Sequence, residues 1–110
     1  LDKINVLIFG IGRADAMAKR RSLKSSEINL LNEKNAVSEA FGNYFDINGN
    51  IVYSSNTIGL DMEQYLKIND VIAIAGYGKK YKAIISICNI RKDMTLITDR
   101  DTAKQILAIL

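Results

Sequence analysis

Twice in 110 residues an apolar run ends in a Gly-x-Gly and is followed by basic side chains. "INVLIF", residues 4–9, leads into Gly10-Ile11-Gly12, and "DVIAIA", residues 70–75, leads into Gly76-Tyr77-Gly78. A short, nearly continuous apolar run suits a strand covered on both faces, as in a parallel sheet. Glycine at its end lets the backbone turn sharply and approach a ligand closely. In open parallel sheets ligands gather beyond the carboxyl ends of the strands, where helices begin. The repeated feature therefore points to an α/β fold and marks both turns as candidate sites.

The remaining segments fit that frame. Helical spacing predicts a helix from Ala14 to about Arg21 and a second over Glu27–Lys34, capped by Ser25 or Ser26 and closed at Asn35. Asn48-Gly49 predicts a type I′ hairpin pairing Tyr44-Phe45 with Ile51-Val52-Tyr53, since both turn residues tolerate positive φ. Leu60 to Tyr65 reads as a helix start, with Asp61 as cap, Gln64 reaching back and Leu60 packing on Tyr65. Lys80–Ile90 places Ala83, Ile84, Ile87 and Cys88 on one helical face. "MTLIT" predicts a third strand, and Asp99 caps a last helix with Ala103, Ile106, Leu107 and Leu110 inward. Proline is absent and no linker interrupts the chain, so one domain with a mostly parallel sheet and a small hairpin is expected. Three buried strands are few for a doubly wound domain, and the chain opens on Leu1 almost directly into a strand, so a partial domain is expected.

Bulk properties narrow the chemistry. Hydrophobic residues make up 48% and charged residues 25%, an ordinary globular composition. A net charge of +3, without a long block of either sign, is too weak to imply nucleic-acid binding by itself. Cys88 is the only cysteine, which excludes an internal disulfide, and it sits in an apolar helical pattern as a small hydrophobe. Without histidine there is no His-dependent triad and no His-ligated metal, and no cofactor is expected. No apolar segment reaches membrane-spanning length and no cleavable signal is visible, so the cytoplasm is the expected compartment.

Three places carry candidate chemistry. In "GIGRADAMAKRRS" free amides at a helix start attract anions, and Arg20 and Arg21 add possible bidentate contacts to a phosphate. A tight turn before a solvated basic helix explains the same residues, and Asp15 stands where a dinucleotide fingerprint has its third glycine. In "IAIAGYGKKYKAI" Lys79 and Lys80 stand at a helix start, where the helix dipole disfavours cations unless an anion also binds. A surface lysine pair is the alternative. Glu39, in the apolar "AVSEAFG", is expensive as a carboxylate unless paired or hydrogen-bonded. It suits sugar hydroxyls, or an ion pair with Arg20. The hairpin and a helix cap account for Asp46 and Asp99.

Five segments in order, "GIGRADAMAKRR", "AVSEAFGNYFDINGNIV", "TIGLDMEQY", "VIAIAGYGKKYKAI" and "LITDRDTAKQIL", resemble the C-terminal part of SorC-type bacterial transcriptional regulators. The resemblance covers nearly the whole chain. It implies a Rossmann-like α/β sheet similar to sugar-phosphate isomerases and deaminases, here as the C-terminal half of an effector-binding domain over residues 1–110. It implies a phosphorylated sugar as effector, fructose 1,6-bisphosphate in the subgroup this chain most resembles. Arg20 and Arg21 then fall on that subgroup's paired ligand-binding arginines, Glu39 on a sugar-contacting acid and Lys80 on a phosphate-contacting lysine. The implied protein is a homo-oligomeric repressor without enzymatic activity. It meets DNA only through an N-terminal domain that these residues do not contain. Arg13, Lys79 and Tyr77 depart from the family pattern. A sugar-phosphate isomerase or deaminase with Glu39 as base, and an oligomerisation module without ligand, are the alternatives.

Overall fold

A computed structural model describes residues 5–55 and 62–109. Three parallel strands, β1 (Val6–Gly10), β6 (Asp70–Ile74) and β7 (Thr95–Ile97), form one sheet in the order β1-β6-β7. The second sheet is antiparallel: β2 (Gly12–Arg13), β3 (Ser38–Ala40), β4 (Asn43–Phe45) and β5 (Ile51–Ser54), in that spatial order. Helices α1 (Ala14–Arg20), α2 (Ser25–Glu33), α3 (Met62–Lys67), α4 (Tyr81–Ile90) and α5 (Arg100–Ile109) complete the chain. The fold is the expected mixed α/β with a parallel sheet. The antiparallel part exceeds a hairpin because Gly12 and Arg13 pair with Glu39 and Ser38 across its outer edge.

Helices cover one face of the parallel sheet. Ala73, Ala83, Ile84 and Ile87 form the main core with Ile11 and Phe45, and Leu96 and Ile106 pack against it. Ile84 and Ile87 are fully buried, worth about 1.5–3 kcal/mol each on transfer from water. Phe9, Phe41 and Tyr65 cluster against this core with ring centroids 4.9–5.7 Å apart. A second cluster of Ala14, Ala18, Leu31 and Tyr44 seats α1 and α2 on the antiparallel sheet. The other face of the parallel sheet is not covered as the continuous apolar runs suggested. Val6, Ile8, Ile74 and Ile97 share it and are each more than half exposed.

Several local expectations are revised. The Asn48-Gly49 hairpin is not a type I′ turn, since only Gly49 of the pair has positive φ, at 87°. Asp46 sets the turn instead: its carboxylate accepts the Asn48 and Asn50 amides at 3.0 and 2.9 Å, and its carbonyl accepts the Gly49 amide. The N-cap of α2 is Lys24 rather than Ser25 or Ser26, because Glu27 accepts the Lys24 amide at 2.8 Å and fixes the first turn one residue earlier. Asn35 does close the helix, with φ of 57°. In α5 Leu107 is 70% exposed, and Thr102 takes the inward place by bonding to the Asp99 cap. The Asp61 cap, Leu60 staple and Leu110 lie outside the described residues. Among those described, no helix is long and apolar enough to cross a membrane.

Candidate functional site

Adjacency of β1 and β6 decides where the two glycine turns go. Gly10 lies opposite Ile74 in parallel register, so both chains leave the sheet at the same edge. The first turn runs through Gly12, where a Cβ would lie 2.5 Å from Met17 Cγ. In the second turn Tyr77, Gly78 and Lys79 have φ of 59°, 57° and 61°. Two of these are not glycine, a strain of about 1–3 kcal/mol each that the surroundings must hold. Asp99 does part of the holding: its carboxylate accepts the Tyr77 amide at 2.7 Å and both the amide and hydroxyl of Thr102. A Cβ on Gly76 would fall 2.4 Å from that carboxylate. Those hydrogen bonds favour the anion and keep the Asp99 carboxyl below its usual range.

Arg13 ties the two turns together. Its Nη1 donates to the Gly78 carbonyl at 2.7 Å, and its fork grips Asp15 at 2.9 and 2.8 Å. That pairing lowers the Asp15 carboxyl and raises the Arg13 guanidinium. In the sequence Arg13 was an unassigned extra charge and Asp99 only a helix cap. The signal that the chain carried was the second Gly-x-Gly, whose partner turn needs fixing.

The sequence-derived residues occupy different levels. Arg20 is the last residue of α1 and Arg21 its C-cap. Seven helical residues span about 10 Å, so the arginines stand at the end of α1 away from the Gly10–Gly12 turn. They stand in the last turn of α1, where the expected helix from Ala14 to about Arg21 puts them, and a helix C-terminus favours cations. The first helical amide, of Ala14, is already donated to the Val37 carbonyl at 3.2 Å. Glu39 lies in β3, 4% exposed, and pairs with Arg21 at 3.1 Å rather than with Arg20. Burial raises its carboxyl pKa, opposed by the Arg21 charge and the Gly42 amide. Opposite Glu39 in register is Tyr44, wholly buried, whose hydroxyl has no hydrogen-bond partner among the described residues. Burial, and then the neighbouring Glu39 charge, push the Tyr44 phenol up.

Lys80 is the N-cap of α4, half-buried, and its carbonyl accepts the Ile84 amide at 2.9 Å. Arg21 and Glu39 are thus brought into contact, while Arg20 and Lys80 have no ion-pair partner among the described residues. Among the same residues no cluster of three acidic or thiol groups is placed to hold a metal.

Parallel strands ending together in glycine turns, the second of them strained, with cations at and beside them, define an open α/β ligand-binding domain. Residues 1–108 match the family described as "Putative sugar-binding domain", and the chain belongs to it: this is a sugar-binding domain of SorC-type transcriptional regulators. The chain is 34% identical over 103 residues to the central glycolytic genes regulator of Bacillus subtilis, covering 94% of this chain and 30% of that protein. It is 35% identical over 102 residues to the protein of that name from Priestia megaterium, covering 93% of this chain and 30% of that one. Among solved structures, the "putative SorC family transcriptional regulator" of Enterococcus faecalis superposes with a TM-score of 0.84 at 42% identity, over 94% of this chain and 42% of the other. The full-length sorbitol operon regulator SorC of Klebsiella pneumoniae gives 0.81 at 26% identity, over 96% of this chain and 36% of its own. The chain therefore spans less than half of each relative.

Proposed function

We propose that residues 1–110 are the C-terminal half of the effector-binding domain of a bacterial transcription repressor, and that the effector is a phosphorylated sugar. Fructose 1,6-bisphosphate is the first candidate. The observation that carries this reading is the Arg13–Gly78 bond between two turns on adjacent strands, which makes the two basic segments one structural unit. Arg20 and Arg21 supply planar forks suited to two phosphoryl oxygens, and Lys80 supplies a point charge at the start of α4. An anion beside Lys80 offsets the unfavourable position of that cation on the helix dipole. Glu39, held by Arg21, orients sugar hydroxyls. No chemical step is assigned to these groups.

Binding shifts the balance between oligomeric arrangements of the regulator and thereby its DNA affinity, through a DNA-binding domain outside these residues. A ligand moves such an equilibrium only by binding one state better than the other. The raised carboxyl pKa of Glu39 favours one rival, a sugar-phosphate isomerase or deaminase with Glu39 as base. Turnover of a ketose or amino-sugar phosphate by the complete protein would establish that rival. The test is calorimetry of the complete regulator with fructose 1,6-bisphosphate. Arg20→Ala and Lys80→Ala each weaken binding at least tenfold, and added salt weakens the wild type. Unchanged affinity in both variants removes these roles.

A further inference from the structure

A second surface is lined by none of Arg20, Arg21, Glu39 and Lys80. Three hollows of about 490, 230 and 580 Å³ run from between α1 and α2, past the start of α4, to the hairpin turn and the end of α5. They form one groove: the first and second share Arg13, Ala14, Asp15 and Ala36 as walls, and the second and third share Val37 and Lys82. Its depth comes from alanine. Ala14, Ala18, Ala36 and Ala83 line it where larger apolar side chains would fill it. Leu31 at one end and Ile85 at the other make the floor apolar over its length.

Charge on the rim is predominantly positive. Lys19, Lys34, Lys79 and Lys82 are exposed along it, and none has an ion-pair partner among the described residues. The two rim acids are already engaged. Asp15 is gripped by Arg13, and Asp46 accepts the amides of its own turn. An apolar trough between unpaired cations is complementary to an apolar stripe flanked by carboxylates.

The geometry points to this groove as the docking site for an acidic amphipathic helix of a partner protein. The lining argues against nucleic acid, since none of its residues is aromatic to stack a base and its floor offers apolar contact where a phosphate backbone needs donors. It also argues against a second copy of the described chain. The exposed apolar end of α5, Leu107 and Ile109, carries no acidic residue after Asp101. This inference does not depend on the sugar-phosphate reading.

The experiment uses the complete regulator and a synthetic amphipathic helix with a Leu/Ala stripe between two rows of Glu. Fluorescence anisotropy should show binding that weakens at least tenfold in Lys34→Glu/Lys82→Glu, a surface change that leaves the core intact. Hydrogen exchange should show protection of residues 13–19 and 79–85 on binding. A peptide of equal charge with the apolar stripe scrambled should bind at least tenfold more weakly. Equal binding of the scrambled peptide, no binding of the designed one, or protection elsewhere would overturn the proposal. So would duplex DNA that protects the same two segments and loses that effect in the same variant.

Discussion

Replacing Arg91 with methionine tests how the amino end of the parallel sheet is held. Arg91 is 7% exposed, and its guanidinium serves the chain between α3 and β6. The last carbonyls of any helix lack intrahelical partners. Here Nη1 donates to the Tyr65 carbonyl at 2.6 Å, and Nη2 donates to Ile68 and, at 3.3 Å, to Asn69. The guanidinium also lies 5.6 Å from the Tyr65 ring centroid. Methionine keeps the apolar stem but none of the donors. Asn69 is exposed and its carbonyl can turn to water, whereas Tyr65 and Ile68 are buried. The Ile68 carbonyl loses its donor while the Tyr65 carbonyl keeps the Ile68 amide at 3.3 Å, so one orphaned buried acceptor amounts to about 1–3 kcal/mol. The assay is urea unfolding of the complete regulator, read by hydrogen exchange over residues 65–74. Asp93→Asn is the control: Asp93 meets Arg91 Nε at 2.8 Å but is largely exposed, and a pair with one end in water contributes at most about 1 kcal/mol. If Arg91→Met shifts stability no more than Asp93→Asn, the argument from an unpaired carbonyl is wrong.

Three further outcomes follow from the same structure. Gly76→Ala drives a Cβ into Asp99, so the Tyr77 and Thr102 contacts should loosen; faster amide exchange at both positions checks this, and unchanged exchange refutes it. The Glu39 carboxyl is raised above its ordinary value of 4.5 in the folded state, so the folded state holds that proton more tightly. Its contribution to stability is therefore lost as pH rises from about 4.5 through the folded pKa; Glu39→Gln should flatten this dependence in urea titrations at several pH values while weakening sugar-phosphate binding. Finally, Val6, Ile8, Ile74 and Ile97 form a contiguous exposed apolar face on the sheet, so other parts of the regulator should cover it. A cysteine replacing Ile8 in the complete protein should react with maleimide at least tenfold more slowly than one replacing Ile51, and equal rates contradict that covering.

Much of this architecture is legible from periodicity, because strands buried in a parallel sheet and helices with one apolar face leave long regular patterns. β6, α4 and β7 fall where "DVIAIA", the Ala83–Cys88 face and "MTLIT" put them. What escapes is set by contacts distant in sequence. β2 has two residues and β3 reads Ser-Glu-Ala, neither of which carries an apolar alternation; they pair through contacts distant in sequence, Gly12 opposite Glu39 and Arg13 opposite Ser38. Asp46 overrides the Asn-Gly turn preference because its carboxylate accepts the Asn48 and Asn50 amides, a side-chain choice that no dipeptide rule contains. Arg13 and Arg91 look alike in the sequence as surface cations, yet one bridges two turns and the other caps a helix from inside. At the candidate site, the residue types and the span of α1 were legible, but the pairing of Glu39 with Arg21 and the Arg13 bond to Gly78 were not.

In the proposed site, cations at the end of α1 and at the start of α4 hold two phosphoryl groups of one ligand. The most direct measurement compares fructose 1,6-bisphosphate with fructose 6-phosphate by calorimetry on the complete regulator and its Lys80→Ala variant. The account predicts at least a tenfold preference for the bisphosphate in the wild type, lost in Lys80→Ala while the monophosphate affinity stays the same. A preference that survives in both Lys80→Ala and Arg20→Ala/Arg21→Ala would contradict it.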